Sequence, residues 1–132
     1  MTSLADVEPQ RWCDPVRGEM GFRLVFGGPS TETDFTAGVS ELEAGGWMGR
    51  HRHEPAEIYY VLSGEGVLTI DGEEHPICAG TAAHIPGNCE HGVRNTGSGP
   101  LRVFYAFAVG SFDDIEYRFT AEERSDDELQ AG

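Results

Sequence analysis

"GGWMGRHRHEPAEIYYVLSGEG", residues 45–66, sets two histidines one residue apart, a glutamate four residues beyond the second, and then a run of β-formers ending at Gly64. On an extended strand, residues two apart share a face, so His51 and His53 present both imidazoles to one side while Arg50 and Arg52 face the other. Pro55 cannot continue a ladder and marks a turn, after which Glu57 opens the next strand and returns a carboxylate beside the imidazoles. Three side chains that a divalent metal accepts thus fall within seven residues. Two histidines and a carboxylate with open positions suit iron(II), manganese, nickel, cobalt or zinc. His91, opening another short strand after "IPGNCE", is placed to close the site from the opposite side.

On either side of this stretch the chain continues as short β-type runs between glycine-rich turns: "FRLVF", "FTAGVSELE", "GVLTI", "AAHIP", "HGVRN" and "LRVFYAFAV". Seven or more strands at this pitch predict an all-β sandwich or barrel. Asp71-Gly72 between "GVLTI" and "EEHPI" is the strongest local signal, because a two-residue turn of this type needs the positive φ angles those residues tolerate. "LRVFYAFAV" is apolar on both faces, which predicts a strand buried between two layers or against another subunit. Residues 1–20 carry Pro9 and Pro15 without periodicity and read as an irregular arm; 21–112 read as the barrel; 113–132 read as an acidic segment, exposed as a short helix or frayed end.

The formal net charge is −14, from nine arginines, no lysine and 23 acidic residues. A field of that sign repels nucleic acid and anionic membranes, and it favours a cationic or zwitterionic small molecule. Without lysine, Schiff-base chemistry is excluded. No stretch approaches the roughly 20 apolar residues of a membrane span, and the N-terminus has no basic-then-apolar leader pattern, so the chain reads as soluble and cytoplasmic. Cys13, Cys78 and Cys89 match neither a zinc knuckle nor a redox pair and read as reduced thiols.

The spacings carry a family resemblance. A glycine, five residues, H-x-H, three residues, E, six residues and a glycine is the first motif of the cupins, matched by Gly45, His51, His53, Glu57 and Gly64. The second, a glycine, five residues and P-x-G-x-x-H-x-x-x-N, is matched by Gly80, Pro86, His91 and Asn95, with Asn88 where the family usually has its second glycine. Asparagine tolerates the left-handed backbone better than other non-glycine residues, so the turn is expected to survive. The resemblance implies a cupin double-stranded β-helix, a jelly-roll barrel. It also implies one divalent transition metal per chain (Fe, Mn, Ni, Co or Zn) held by His51, His53, Glu57 and His91.

Tyr59 lies two residues beyond Glu57 and shares its face, where it either packs the core or acts as a general acid or base near the metal. Trp47, Phe104, Tyr105 and Phe107 are candidate cavity walls, with Trp47 and Tyr105 the candidate substrate contacts beside Arg94, and pattern alone leaves open which of them face inward. Arg94 and Arg102 either take a substrate carboxylate or make surface ion pairs worth about 0–1 kcal/mol each. His75, His84 and Cys89 read as structural.

The arrangement H-x-H-x-x-x-E-x-Y followed by a distant histidine is similar to that of the cupin lyases that cleave dimethylsulfoniopropionate to dimethyl sulfide and acrylate, in which the tyrosine is taken as the base. Monocupin polyketide cyclases are a sister possibility. An iron-dependent dioxygenase and a non-catalytic binding cupin are the alternatives, since fold alone does not select chemistry. The leading expectation is a homodimeric metal-dependent lyase, isomerase or cyclase acting on a small organic acid or carbonyl compound, the partner covering an exposed sheet edge.

Overall fold

The structure is a computed structural model that describes residues 1–28 and 33–123. Its strands are β1 (Gln10–Asp14), β2 (Gly18–Phe26), β3 (Thr36–Leu42), β4 (Trp47–Arg52), β5 (Glu57–Ser63), β6 (Glu65–Ile70), β7 (Glu73–Cys78), β8 (Ala82–Ile85), β9 (His91–Asn95), β10 (Leu101–Phe107) and β11 (Arg118–Phe119). They pair antiparallel in the order β7-β6-β9-β4-β2-β3-β10-β5-β8, with β1 added to β2 and β11 to β4. The curled sheet is the all-β jelly-roll architecture expected from the sequence.

Period-two patterning explains which face closes inward. Along β5, Glu57, Tyr59 and Val61 are buried while Ile58, Tyr60 and Leu62 are exposed. β10 does the same between β3 and β5, burying Leu101, Val103, Tyr105 and Phe107 and leaving Phe104 and Ala106 half-buried on the outer face. Side chains such as Ile85 and Leu101, both 0% exposed, contribute roughly 1.5–3 kcal/mol each by burial. The β6–β7 hairpin turns at Asp71 and Gly72 with φ of 47° and 82°, the conformation the Asp-Gly pair predicts.

Two features depart from the sequence reading. The first 20 residues are not an irregular arm throughout: β1 and the start of β2 form a hairpin in register from Gln10↔Phe22 to Asp14↔Gly18. The pattern was hidden because β1 is an edge strand whose inward residue is chiefly Trp12, with polar residues around it. Within the acidic C-terminal segment, Ile115, Tyr117 and Phe119 point inward between outward Glu116 and Arg118, and Phe119 pairs with His51. The rest of the expected acidic tail, from residue 124, lies outside the described residues.

Candidate metal centre

Register brings the four motif side chains to one end of the barrel. His51 and His91 are directly paired across β4 and β9, and Glu57 at the head of β5 is paired with Phe107 on one side and Ile85 on the other. His53 stands one residue past β4, held there by the second motif's turn: Asn88 donates its backbone N–H to the His53 carbonyl at 2.7 Å. Asn88 has φ of 63°, the left-handed geometry expected of the family's glycine. Gly87 beside it lies so close to the Glu54 carbonyl that an added Cβ would sit 2.3 Å from that oxygen. The two motifs therefore dock through backbone, and this fixes where His53 points.

One ring nitrogen from each of His51, His53 and His91 lies within 4.8 Å of the others, and all three residues are buried. The other nitrogens are spoken for. Nδ1 contacts the Gly49 carbonyl in His51 (2.8 Å), the Pro55 carbonyl in His53 (2.8 Å) and the Cys89 carbonyl in His91 (2.9 Å). A carbonyl only accepts, so each Nδ1 carries a hydrogen, and in the neutral ring each Nε2 is left with a bare lone pair. His51 Nε2 and His53 Nε2 accordingly have no hydrogen-bond partner among the described residues. Glu57 Oε1 lies 3.3 Å from His53 Nε2 and 3.2 Å from His91 Nε2. In this tautomer those contacts set a carboxylate against lone pairs, which repel unless a cation lies among them. Burial, and then the neighbouring His91, hold the His51 imidazole well below its ordinary pKa, so it resists taking up a proton itself. The donor set, with buried lone pairs converging on a carboxylate, fits a divalent metal.

Glu57 also lines a cavity of about 10 Å³, room for about one water molecule, with Trp12, Met20, Phe22, Ser40, Met48, Tyr59, Tyr105, Phe112 and Tyr117. Tyr59 shares the Glu57 face, as alternation predicts, with its hydroxyl 3.9 Å from Met48 Sδ. Burial, and then the Glu57 charge, push the Tyr59 phenol well above its ordinary value, opposite to the lowering that a metal nearby is expected to cause. Tyr105 also faces in, and Phe107 packs edge-on against His53 at 5.0 Å.

Trp47 and Arg94 do not join this cavity. A bulge in β4 puts three residue steps, Met48 to His51, against two on β9, Val93 to His91. One extra residue reverses the facing, so Met48 enters the cavity and Trp47 turns out to a separate groove that also includes Arg94. The Arg94 guanidinium pairs with Glu74 at 2.8 Å, and Arg102 pairs with Glu41 at 3.3 Å on the outer surface. His84 is exposed and His75 half-buried on outer strands. Cys89 serves through its carbonyl on His91, and its thiol is pushed up by partial desolvation and Asp71.

Trp12 and Tyr117 were missed by the sequence reading. The Tyr117 ring sits 5.2 Å from His51 and 5.4 Å from His53, and Trp12 packs edge-on against it at 5.4 Å. The alternation Ile115, Tyr117, Phe119 was the available signal, masked by the acidic residues between and after them.

Comparison with known proteins agrees with this fold. The cupin domain model matches residues 38–107. Dimethylsulfoniopropionate lyase DddW of Ruegeria pomeroyi is 47% identical over 111 residues, 82% of this chain and 71% of that protein. Among solved structures, the polyketide cyclase RemF of Streptomyces resistomycificus superposes with a TM-score of 0.76 at 21% identity, over 91% of this chain and 84% of that one. One chain from the crystal structures of the dimethylsulfoniopropionate lyases RdDddP and RnDddQII gives a TM-score of 0.69 at 20% identity, over 86% of this chain and 62% of that one. At such identities the structural likeness shows the fold. From the matched domain and the extended match to DddW, the chain belongs to the cupin family.

Proposed function

We propose that this cupin is a metal-dependent lyase that eliminates a leaving group from a small organic acid, with dimethylsulfoniopropionate as the substrate to try first. The observation that carries the reading is the set of Nε2 lone pairs facing Glu57, with Tyr59 lining the same cavity. Similarity to DddW supports the substrate class.

In this reading His51, His53, Glu57 and His91 hold the metal. A bound divalent transition metal supplies Lewis-acid polarisation of a carboxylate or carbonyl oxygen, and a positive charge that offsets Glu57 beside the Tyr59 phenol. Tyr59 Oη, as phenolate, takes the proton from the carbon next to the carboxylate. The electron pair of that C–H bond becomes the new C=C bond, and the C–S bond breaks with its pair leaving on sulfur, giving dimethyl sulfide and acrylate. The cavity holds about one water, so Trp12, Phe22, Phe112 and Tyr117 part to admit the substrate and then keep bulk water from the developing carbanion. A separate cavity of about 600 Å³ is lined in part by Glu54, Asp114, Glu116 and Arg118, and its excess of carboxylates favours a cationic sulfonium.

The reading includes a homodimer in the cytoplasm. Ile58, Tyr60 and Leu62, 49%, 47% and 42% exposed on the outer face of β5, support self-association, and three unpaired cysteines support a reducing compartment. No helix among the described residues is long and apolar enough to cross a membrane.

The test is turnover of dimethylsulfoniopropionate by metal-loaded protein with and without oxygen, measuring dimethyl sulfide and acrylate. Equal turnover in both supports elimination. Turnover that requires oxygen moves the protein to the dioxygenases, and inertness toward this and a panel of other small carboxylates leaves a binding cupin.

A further inference from the structure

One buried polar group in the cavity is not used by this mechanism. The Tyr105 hydroxyl has no hydrogen-bond partner among the described residues, and the residue is only 5% exposed. Folded proteins leave few buried hydroxyls unsatisfied, and those that persist call for a reason. A water in this cavity would find polar partners in Ser40, Glu57, Tyr59 and Tyr117, and a ligand oxygen that displaces it meets the same groups.

The position of the hydroxyl is set by an absence. Tyr105 is the direct cross-strand partner of Gly38 on one side and of Tyr59 on the other. A Cβ added at Gly38 would lie 2.5 Å from Tyr105 Oη and 2.8 Å from Cζ. Such contacts are far inside van der Waals range, so the ring occupies its place only because residue 38 has no side chain. Tyr105 lines the same cavity as Glu57 and Tyr59, with its hydroxyl buried against Gly38.

We propose that Tyr105 Oη is the donor that anchors the substrate's carboxylate, with Gly38 as the positioning residue that makes its seat; this assignment rests on the lyase reading above. A phenol donating to a carboxylate makes a charge-assisted bond, stronger than one to a neutral oxygen, so the residue selects for an anionic end. Burial and the Glu57 charge keep Tyr105 protonated at neutral pH and therefore a donor. Tyr59 and Tyr105 thus divide the work: one faces the proton to be removed and the other holds the acid group.

The experiment is calorimetric titration of propionate and of its neutral isostere propionamide into manganese-loaded wild type and Tyr105→Phe, with metal content and thermal midpoint measured for both. The expected result is tighter binding of propionate than propionamide by wild type, and a loss of about tenfold or more for propionate alone in Tyr105→Phe. Metal content stays the same, and the midpoint of the metal-free variant does not fall, since the removed hydroxyl had no partner. With dimethylsulfoniopropionate, KM rises by a similar factor while kcat changes less. Equal propionate affinity in the two proteins, equal loss of both ligands, or no preference for propionate in wild type overturns the proposal. So does loss of metal or of thermal stability in Tyr105→Phe, which would make the hydroxyl structural. Failure of wild type to turn over any carboxylate defeats the lyase reading instead, and the propionate comparison still decides Tyr105.

Discussion

Replacing Glu57 with glutamine is expected to move stability and metal affinity in opposite directions. In the metal-free protein at pH 8 the carboxylate is 4% exposed and faces Nε2 of His53 and His91 at 3.3 and 3.2 Å. Those rings have their hydrogens on Nδ1, directed at the Pro55 and Cys89 carbonyls. A buried anion there receives no donor from either ring, and desolvation of such a group costs several kcal/mol. Glutamine keeps the shape, drops the charge and offers an NH₂ to the lone pairs. One new hydrogen bond contributes about 1 kcal/mol net. With part of the desolvation relieved, the metal-free variant should gain about 2–3 kcal/mol. At about 3–5 °C per kcal/mol for a chain of this size, its Tm should rise by about 6–15 °C. The same change removes an anionic ligand, so metal affinity should fall by about 100-fold or more, near 2.7 kcal/mol. Scanning calorimetry in chelator, and again across a metal titration, reads both. If Glu57→Gln melts below wild type in chelator at pH 8, the carboxylate is held by an Nε2–H donor and the tautomer argument fails.

Three further outcomes follow from the same geometry. Tyr59→Phe should keep the full metal complement while losing on the order of 10²-fold or more in lyase turnover, and retained turnover removes Tyr59 from the mechanism. Metal-free protein should lose stability as pH falls below 6.5, the ordinary histidine value, because the unfolded chain protonates His51 before the buried imidazole does. Above that pH both states hold it neutral. Below it the loss reaches about 1.4 kcal/mol per pH unit for this group until the folded pKa is passed, so urea midpoints in chelator that hold level from pH 8 to 5 would refute the assignment. Asn88→Val should cost about 1–2 kcal/mol, since φ of 63° is left-handed, whereas Asn88→Gly should be close to neutral; equal losses in urea titrations would contradict that.

The fold and the four-residue cluster were legible because both rest on local spacing. His51 near the end of β4, His53 one residue beyond that strand, a proline turn and a returning carboxylate are close in sequence, and "EIYYVLS" and "HGVRN" coincide with β5 and β9. What escaped depends on departures from period-two geometry or on distant packing. The β4 bulge exchanged Met48 for Trp47 at the cavity, and nothing in "GWMGRH" announces an extra residue. Trp12 and Tyr117 meet over His51 from regions near the two ends of the chain, so their shared role exists only after the barrel closes. The Tyr105 seat at Gly38 is likewise a cross-strand relation, invisible until β3 and β10 are in register.

The most direct measurement is the metal content of protein purified without added metal, for wild type and for His53→Ala, by elemental analysis, with circular dichroism to confirm that both are folded. The account predicts about one divalent transition metal per wild-type chain and a folded His53→Ala barrel that has lost most of it. A metal-free wild type that takes up none on addition, or a His53→Ala variant with an undiminished complement, would contradict the claim that these imidazoles converge to bind a cation.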